Sequence, residues 1–181
     1  MNKDAVSEES KMDEKELQKT ILDYLSSHHA MSLATEGNGM PHAAAVFYIN
    51  IGFALYFLSS TASRHGIHFS QNPHVSATIN EDYASWRQIK GIQMEGVVRS
   101  AGSIQENGKI AFAFIKKFPD TAHFFTSPQL IGEAIFRKVE GARIYKLAPD
   151  RILFINNEEG FGHREELPRG RLILDSQGAL L

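Results

Sequence analysis

Cysteine is absent from this 181-residue chain, which removes a thiol nucleophile, a CxxC redox pair, a thiolate zinc site and any internal disulfide. An excess of charge is missing too. Nineteen Lys and Arg stand against 21 Asp and Glu, a formal net charge of −2, whereas a nonspecific grip on nucleic acid or acidic lipid needs clustered positive charge. Neither nucleic acid nor membrane is therefore expected as a partner. The one long apolar stretch, Ala43 to Leu58, is interrupted by Asn50 and Gly52 and falls short of the roughly 18 residues of a spanning helix. The first residues are polar and acidic where a secretory leader has a basic start and an apolar run, so a cytoplasmic location is expected. No GxGxxG or GxxxxGK[ST] sequence occurs and strict strand–helix alternation is lacking, which argues against a doubly wound nucleotide-binding sheet.

What is present suits one globular domain. Hydrophobic residues make up 43% of the chain, and at this length folding buries roughly 70% of the extended chain's surface. Residues 1–12 are expected to be a charged flexible leader and residues 13–181, the C-terminal tail included, a single domain. The net charge belongs to the leader region: residues 1–19 carry six acids and four bases, and the remainder balances at fifteen of each.

Leu17, Ile21, Leu22 and Leu25 recur at helical spacing and predict a helix from Met12 to about Ser27. Ala30 to Thr35 reads as a strand, turning at Gly37-Asn38-Gly39 into a hairpin whose own turn is Asn50-Ile51-Gly52. Further strands are expected over His74 to Asn80, Ile89 to Ile104, Ala142 to Leu147 and Ile152 to Ile155. A short helix capped by a hydroxyl within Ser59 to Ser63 and ending near Gln71-Asn72-Pro73 is expected, as is a helix over Lys109 to Phe118, and Pro119 to Val139 is ambiguous. Gly91, Gly96 and Gly102 suggest bulges or close backbone approach. About six strands with short turns and peripheral helices make a mainly β protein, a small antiparallel barrel.

Ser59-Ser60-Thr61-Ala62-Ser63-Arg64-His65-Gly66, where a strand hands over to a helix, carries the most informative chemistry. Free N–H groups, hydroxyls and an arginine fork together fit phosphate oxygens. The same residues also read as a helix cap beside a solvated arginine. His65 and His68 stand at i, i+3, but HExxH, cysteine and a supporting carboxylate are all lacking there, and no metal is expected. Trp86 reads as core or interface packing.

Pro41, Gly52-Phe53, Ser63-Arg64-His65-Gly66, Asn72-Pro73 and Glu95-Gly96-Val97-Val98, in that order, resemble the pyridoxamine-5′-phosphate-oxidase-like FMN-binding split barrels. Lys90-Gly91-Ile92-Gln93, Lys117-Phe118-Pro119 and Phe154 to Gly162 look like the YhbP-like subfamily. The resemblance covers roughly residues 20–166 and implies an antiparallel, Greek-key-type split barrel. It also implies a homodimer with one FMN in each of two interface grooves. By that resemblance Ser59, Ser60, Ser63, Arg64 and His65 hold the FMN phosphate. Ala44, Ala45 and Val46 line the flavin ring by their backbone, and Lys90 and Gln93 reach it from a neighbouring strand.

Departures from the family pattern carry information. The oxidases have an Arg and a Lys on the strand corresponding to Ala43–Ile49, and here neither occurs. His65 replaces a phosphate-binding lysine, shifting the load to Arg64, hydroxyls and backbone N–H groups. The basic C-terminal residues that hold pyridoxamine phosphate are also missing, so true pyridoxamine-phosphate oxidase activity is not expected. Phe161, His163 and Arg164 either cover the flavin and meet a substrate or, for Phe161, form a turn packed on the barrel. The expected function is an FMN-dependent oxidoreductase acting between a nicotinamide or similar donor and a small-molecule substrate. A non-catalytic protein holding FMN or haem is the alternative.

Overall fold

The structure is a computed structural model and describes residues 12–101, 104–124 and 142–167. Helix α1 (Glu14–Ser27) is followed by strands β1 (Ala30–Gly37), β2 (Met40–Ile51) and β3 (Ala54–Ser60), helix α2 (Arg64–Gln71), β4 (His74–Asn80) and β5 (Lys90–Ser100). Then come α3 (Ile104–Lys117), β6 (Ala142–Asn156) and β7 (Arg164–Leu167). Two 3-10 turns, Trp86–Gln88 and Pro119–Phe124, complete the described elements.

The strands pair antiparallel in the order β3-β2-β1-β4-β5-β6-β7, and β3 also pairs with β6. That pairing closes six strands into a barrel. Strand β4 returns beside β1 after the β1–β2–β3 meander, the spatial order 4-1-2-3 of a Greek key. Inward residues alternate along each strand: Met31 and Leu33 on β1, Val46 and Tyr48 on β2, Leu55 and Phe57 on β3, and Ile92 and Met94 on β5 form one core. The β1–β2 turn has positive φ at both Asn38 and Gly39, the conformation in which the Asn-Gly pair matches strand twist.

The two ends of the barrel are closed differently. Helix α1 places Leu17, Ile21 and Leu25 in the core at one end, where Tyr24 Oη donates to Lys90 O. Helix α2 lies at the other end, its Phe69 edge-on to Tyr145 with ring centroids 4.6 Å apart. On the outer face Ile110 and Phe114 of α3 pack against Ile49, Ala54, Tyr56 and Ile144.

Several boundaries differ from expectation. Helix α3 begins five residues earlier than Lys109. β6 is one strand through Ala148-Pro149-Asp150, because Asp150 is accommodated as an extra residue where Glu95 pairs with Arg151 and Gly96 with Pro149. A bulge tolerates proline's missing N–H. Gly96 is required there, since a Cβ would run into Ala148 O. The polar, glycine-containing tail after Asn156 contains strand β7, which the sequence reading did not place. Met12 is not part of a free leader: its N–H donates to Glu165 Oε2 at 2.9 Å and its side chain packs on the core. The leader's residues 1–11, Gly102, most of the Pro119–Val139 stretch and the tail beyond Leu167 lie outside the described residues. Among the described residues no helix is long and apolar enough to cross a membrane.

Candidate functional site

Strand β3 ends and α2 begins within four residues, and the hydroxyls there organise the turn. Ser63 is the N-cap of α2: its Oγ accepts from Gly66 N at 3.1 Å and donates to Ser60 O at 2.7 Å. Ser60 Oγ accepts from Ala62 N. Ser59 Oγ lies 2.5 Å from His65 Nε2 and 3.2 Å from Ser63 Oγ. The N–H groups of a helix's first turn lack intrahelical acceptors, and with Gly66 N satisfied by Ser63, those of Arg64 and His65 remain for an anion or water. Gly66 is needed for this compactness: a Cβ would sit 2.5 Å from Ser60 O.

Arg64 is exposed and pairs with no carboxylate among the described residues. His65 differs. Burial, with His42 and His68 as neighbours, lowers its imidazole below the ordinary histidine range. The His42 ring lies nearly parallel to His65 at 6.3 Å, and 5.8 Å from His68, whose Nδ1 is 3.1 Å from Thr35 Oγ1. At neutral pH His65 is therefore an uncharged hydrogen-bonding group, and the permanent charge at this turn is the Arg64 guanidinium.

A groove of about 690 Å³ runs from this turn along the outer face of β2 and β3, beneath α3 and the turn after it. Ala45, Val46, Phe47, Leu58, Ser59 and His65 form one wall, and Phe114, Lys117 and Phe118 the other, with His29 also on its lining. Apolar rings suit a flat aromatic ligand, and the hydroxyls with the nearby Arg64 suit an anion, while Asp120 adds a carboxylate on the α3 side. A phosphorylated ring cofactor such as FMN fits this donor set.

Lys117 is the most perturbed cation of the groove. Its Nζ donates to Leu25 O at 3.1 Å and stands 4.2 Å from the centre of the Tyr48 ring. Leu25 lies in the last turn of α1, where carbonyls lack intrahelical donors and the helix dipole favours a cation. Burial pushes the Lys117 ammonium down to about 8.

The predicted residues divide between the two barrel ends. Ser59 and His65 line the groove directly, Ser60 and Ser63 hold the turn at its end, Arg64 follows in the first turn of α2 outside the lining, and Ala45 and Val46 contribute β2. Ala44 and Val46 turn towards the barrel interior and Ala45 outward, so any contact from the first two is through backbone. Lys90 is not beside the cradle in the protomer. It pairs with Asn156 at the far end of β6, while Ser60 pairs with Ala142 at its start, and its Nζ is bound to Glu158 Oε2 at 2.6 Å. Gln93 lies on another face, in a hollow of about 310 Å³ with Ser32, Ala34, Ala43, Ser76 and Thr78.

The tail residues also sit at the α1 end. Phe161 is 85% exposed and edge-on to the half-exposed Trp86, 5.5 Å away. His163 is buried, its Nε2 3.3 Å from Glu165 Oε1, and Arg164 is exposed on β7. These residues do not line the groove. The sequence pattern had not singled out His29, Phe47, Phe114 or a role for Lys117. The Lys117-Phe118-Pro119 motif was the available signal, and it was silent about burial.

A profile of the family described as pyridoxamine 5′-phosphate oxidase matches residues 17–156. The UPF0306 protein YhbP of Salmonella schwarzengrund is 25% identical over 145 residues, covering 78% of this chain and 86% of that protein. Among solved structures, a protein of Listeria innocua provisionally named a pyridoxamine 5′-phosphate oxidase superposes with a TM-score of 0.60 at 20% identity, covering 78% of this chain and 99% of that one. A haem-binding protein from Mycobacterium smegmatis gives 0.66 at 16% identity, covering 90% of this chain and 60% of that one. The likeness in structure shows the split-barrel fold, and the profile spans most of the sequence: the chain belongs to the pyridoxamine 5′-phosphate oxidase family.

Proposed function

We propose that this protein is an FMN-binding flavoprotein, an oxidoreductase that passes electrons between a nicotinamide or similar donor and a small substrate. The observation that carries this reading is the single groove in which an apolar, aromatic-lined slot leads to the Ser59–His65 turn. Bound FMN would supply the redox chemistry, and the protein would position the ring and set its electrostatic surroundings. Phe114 and Phe118 exclude water from one side of the slot, the β2 backbone offers fixed hydrogen-bonding groups on the other, and Arg64 with the serine hydroxyls anchors the phosphate.

We further propose a homodimer. The outer face of β2, β1, β4 and β5 carries the small exposed residues Ala43, Ala45, Ser32, Ala34 and Ser76, of which all but Ala45 line a shallow hollow with Gln93, Glu95 and Arg151. A two-fold partner packed there would sit beside the flavin groove, which shares β2. In such a dimer Gln93 would approach a flavin from the interface.

A haem-binding reading has its own support: His29 and His65 both line the groove, and one structural relative is named a haem-binding protein. The visible spectrum of the purified protein separates the readings, with flavin bands expected and a haem Soret band contradicting them. If flavin is bound, anaerobic mixing with NADH and NADPH decides the rest: bleaching is expected of an oxidoreductase, and flavin that neither nucleotide reduces favours a binding protein.

A further inference from the structure

Among the described residues of the Ser59–His65 turn, Arg64 is the one permanently charged cation. A phosphate monoester carries about −1.5 to −2 charge at pH 7, and His65 is uncharged there while Lys90 belongs to the opposite end of the barrel. Strand β2 has neither Lys nor Arg between Met40 and Ile51, and His42 is its one basic side chain. We propose that Arg143 supplies the second cation of the phosphate site, reaching it from β6 across the β3–β6 pair. This rests on the proposed FMN reading and extends it.

The register places Arg143. Phe57 of β3 lies directly opposite Tyr145 of β6, and their rings stack with centroids 5.7 Å apart. Directly opposed residues of an antiparallel pair share a face, and the same face returns two residues along. The next pair on the Phe57–Tyr145 face, at the α2 end, is Ser59 and Arg143. Opposed Cβ atoms lie about 4.5–5.5 Å apart. Helix α2 covers this same face: Phe69 packs on both Phe57 and Tyr145, and His65, one turn earlier, reaches Ser59 Oγ.

Ser59 is thus flanked by α2 on one side and by Arg143 on the other. The Arg143 side chain is exposed and forms no ion pair among the described residues, so its guanidinium N–H groups are available to phosphate oxygens. Arg143 opposite Ser59 and Arg64 in the first turn of α2 make a two-cation clamp for a dianion. The clamp compensates for the basic residues missing from β2.

The test compares FMN with riboflavin, which keeps the ring and lacks the phosphate. Flavin-fluorescence titrations of the wild type, Arg143→Ala and Arg143→Lys are expected to show FMN affinity lowered roughly tenfold or more by alanine, from loss of a charged hydrogen bond. Riboflavin affinity should be unchanged, and lysine should recover part of the FMN loss. Wild-type protein that binds no FMN overturns both this inference and the flavin reading. Wild-type protein that binds FMN while Arg143→Ala binds it equally well overturns the inference alone. Equal losses for FMN and riboflavin assign Arg143 to the fold and also overturn it.

Discussion

Two nitrogen bases side by side, Arg64 and His65, face different fates at the same turn. Arg64 stays in solvent and keeps its charge, whereas His65 is drawn towards Ser59, His42 and His68 and loses proton affinity. Arg64→Ala is therefore expected to weaken FMN binding by about 1.5–3 kcal/mol, the range of a hydrogen bond to a charged group, as read by fluorescence titration at pH 7. An unchanged dissociation constant places the phosphate elsewhere. Lys117 gives a second residue-scale prediction. Its folded-state value near 8 lies below the ordinary 10.5, so between those values the unfolded chain holds more protons than the folded one, and stability rises with pH. Tyr24 and Tyr48 are shifted upward by burial and act in the opposite sense only above about 10. Denaturant midpoints measured from pH 8 to 10 should climb for the wild type and stay flatter for Lys117→Met. The hydroxyl-rich turn was legible because serines, arginine and glycine name their own chemistry. Arg143 and Lys117 were not, since their roles depend on a register spanning some eighty residues and on burial by a distant helix.

At the scale of elements, the site depends on how closely α2 follows β3. Gly66→Ala puts a Cβ 2.5 Å from Ser60 O and 2.9 Å from Ser63 Oγ, which forces the first turn of α2 away from the end of β3. The variant is expected to melt at a lower temperature and to lose FMN affinity more than riboflavin affinity, both by thermal melts and titrations. Unaltered FMN binding would show that the turn tolerates opening. Of the strands that place this turn, β1 and β4 alternate cleanly between inward and outward residues, whereas β2 and β3 were readable from an apolar, β-favouring run broken by the Asn50-Ile51-Gly52 turn, β3 being buried on both faces over its first four residues. Periodicity failed at Ala148-Pro149-Asp150, where a bulge hides the continuity of β6, and at β7, whose Arg164-Glu165-Glu166 sequence has no strand signature. The buried His163–Glu165 contact and the Met12 N–H bond to Glu165 explain why so polar a segment is nonetheless held.

For the molecule as a whole, near-zero net charge turns out to be compatible with an anionic ligand, because the charge that matters is local. Helix α1 and the Trp86–Phe161 corner close one end of the barrel, and the Ser59–His65 turn occupies the other. Lys90, Phe161, His163 and Arg164 therefore contribute nothing to the groove of their own chain. The proposed homodimer adds a prediction at this scale. Ala34→Glu, on the exposed small-residue face, is expected to convert a wild-type dimer into monomers in sedimentation equilibrium and to weaken FMN binding; a wild-type monomer that binds FMN tightly contradicts the interface. The most direct test of the central claim is titration of the purified apoprotein with FMN, followed by its visible spectrum and fluorescence quenching. The account predicts saturable binding of one FMN per chain, tighter than riboflavin and weakened by Arg64→Ala. A protein that leaves FMN fluorescence unchanged, or that takes up haem and not FMN, contradicts it.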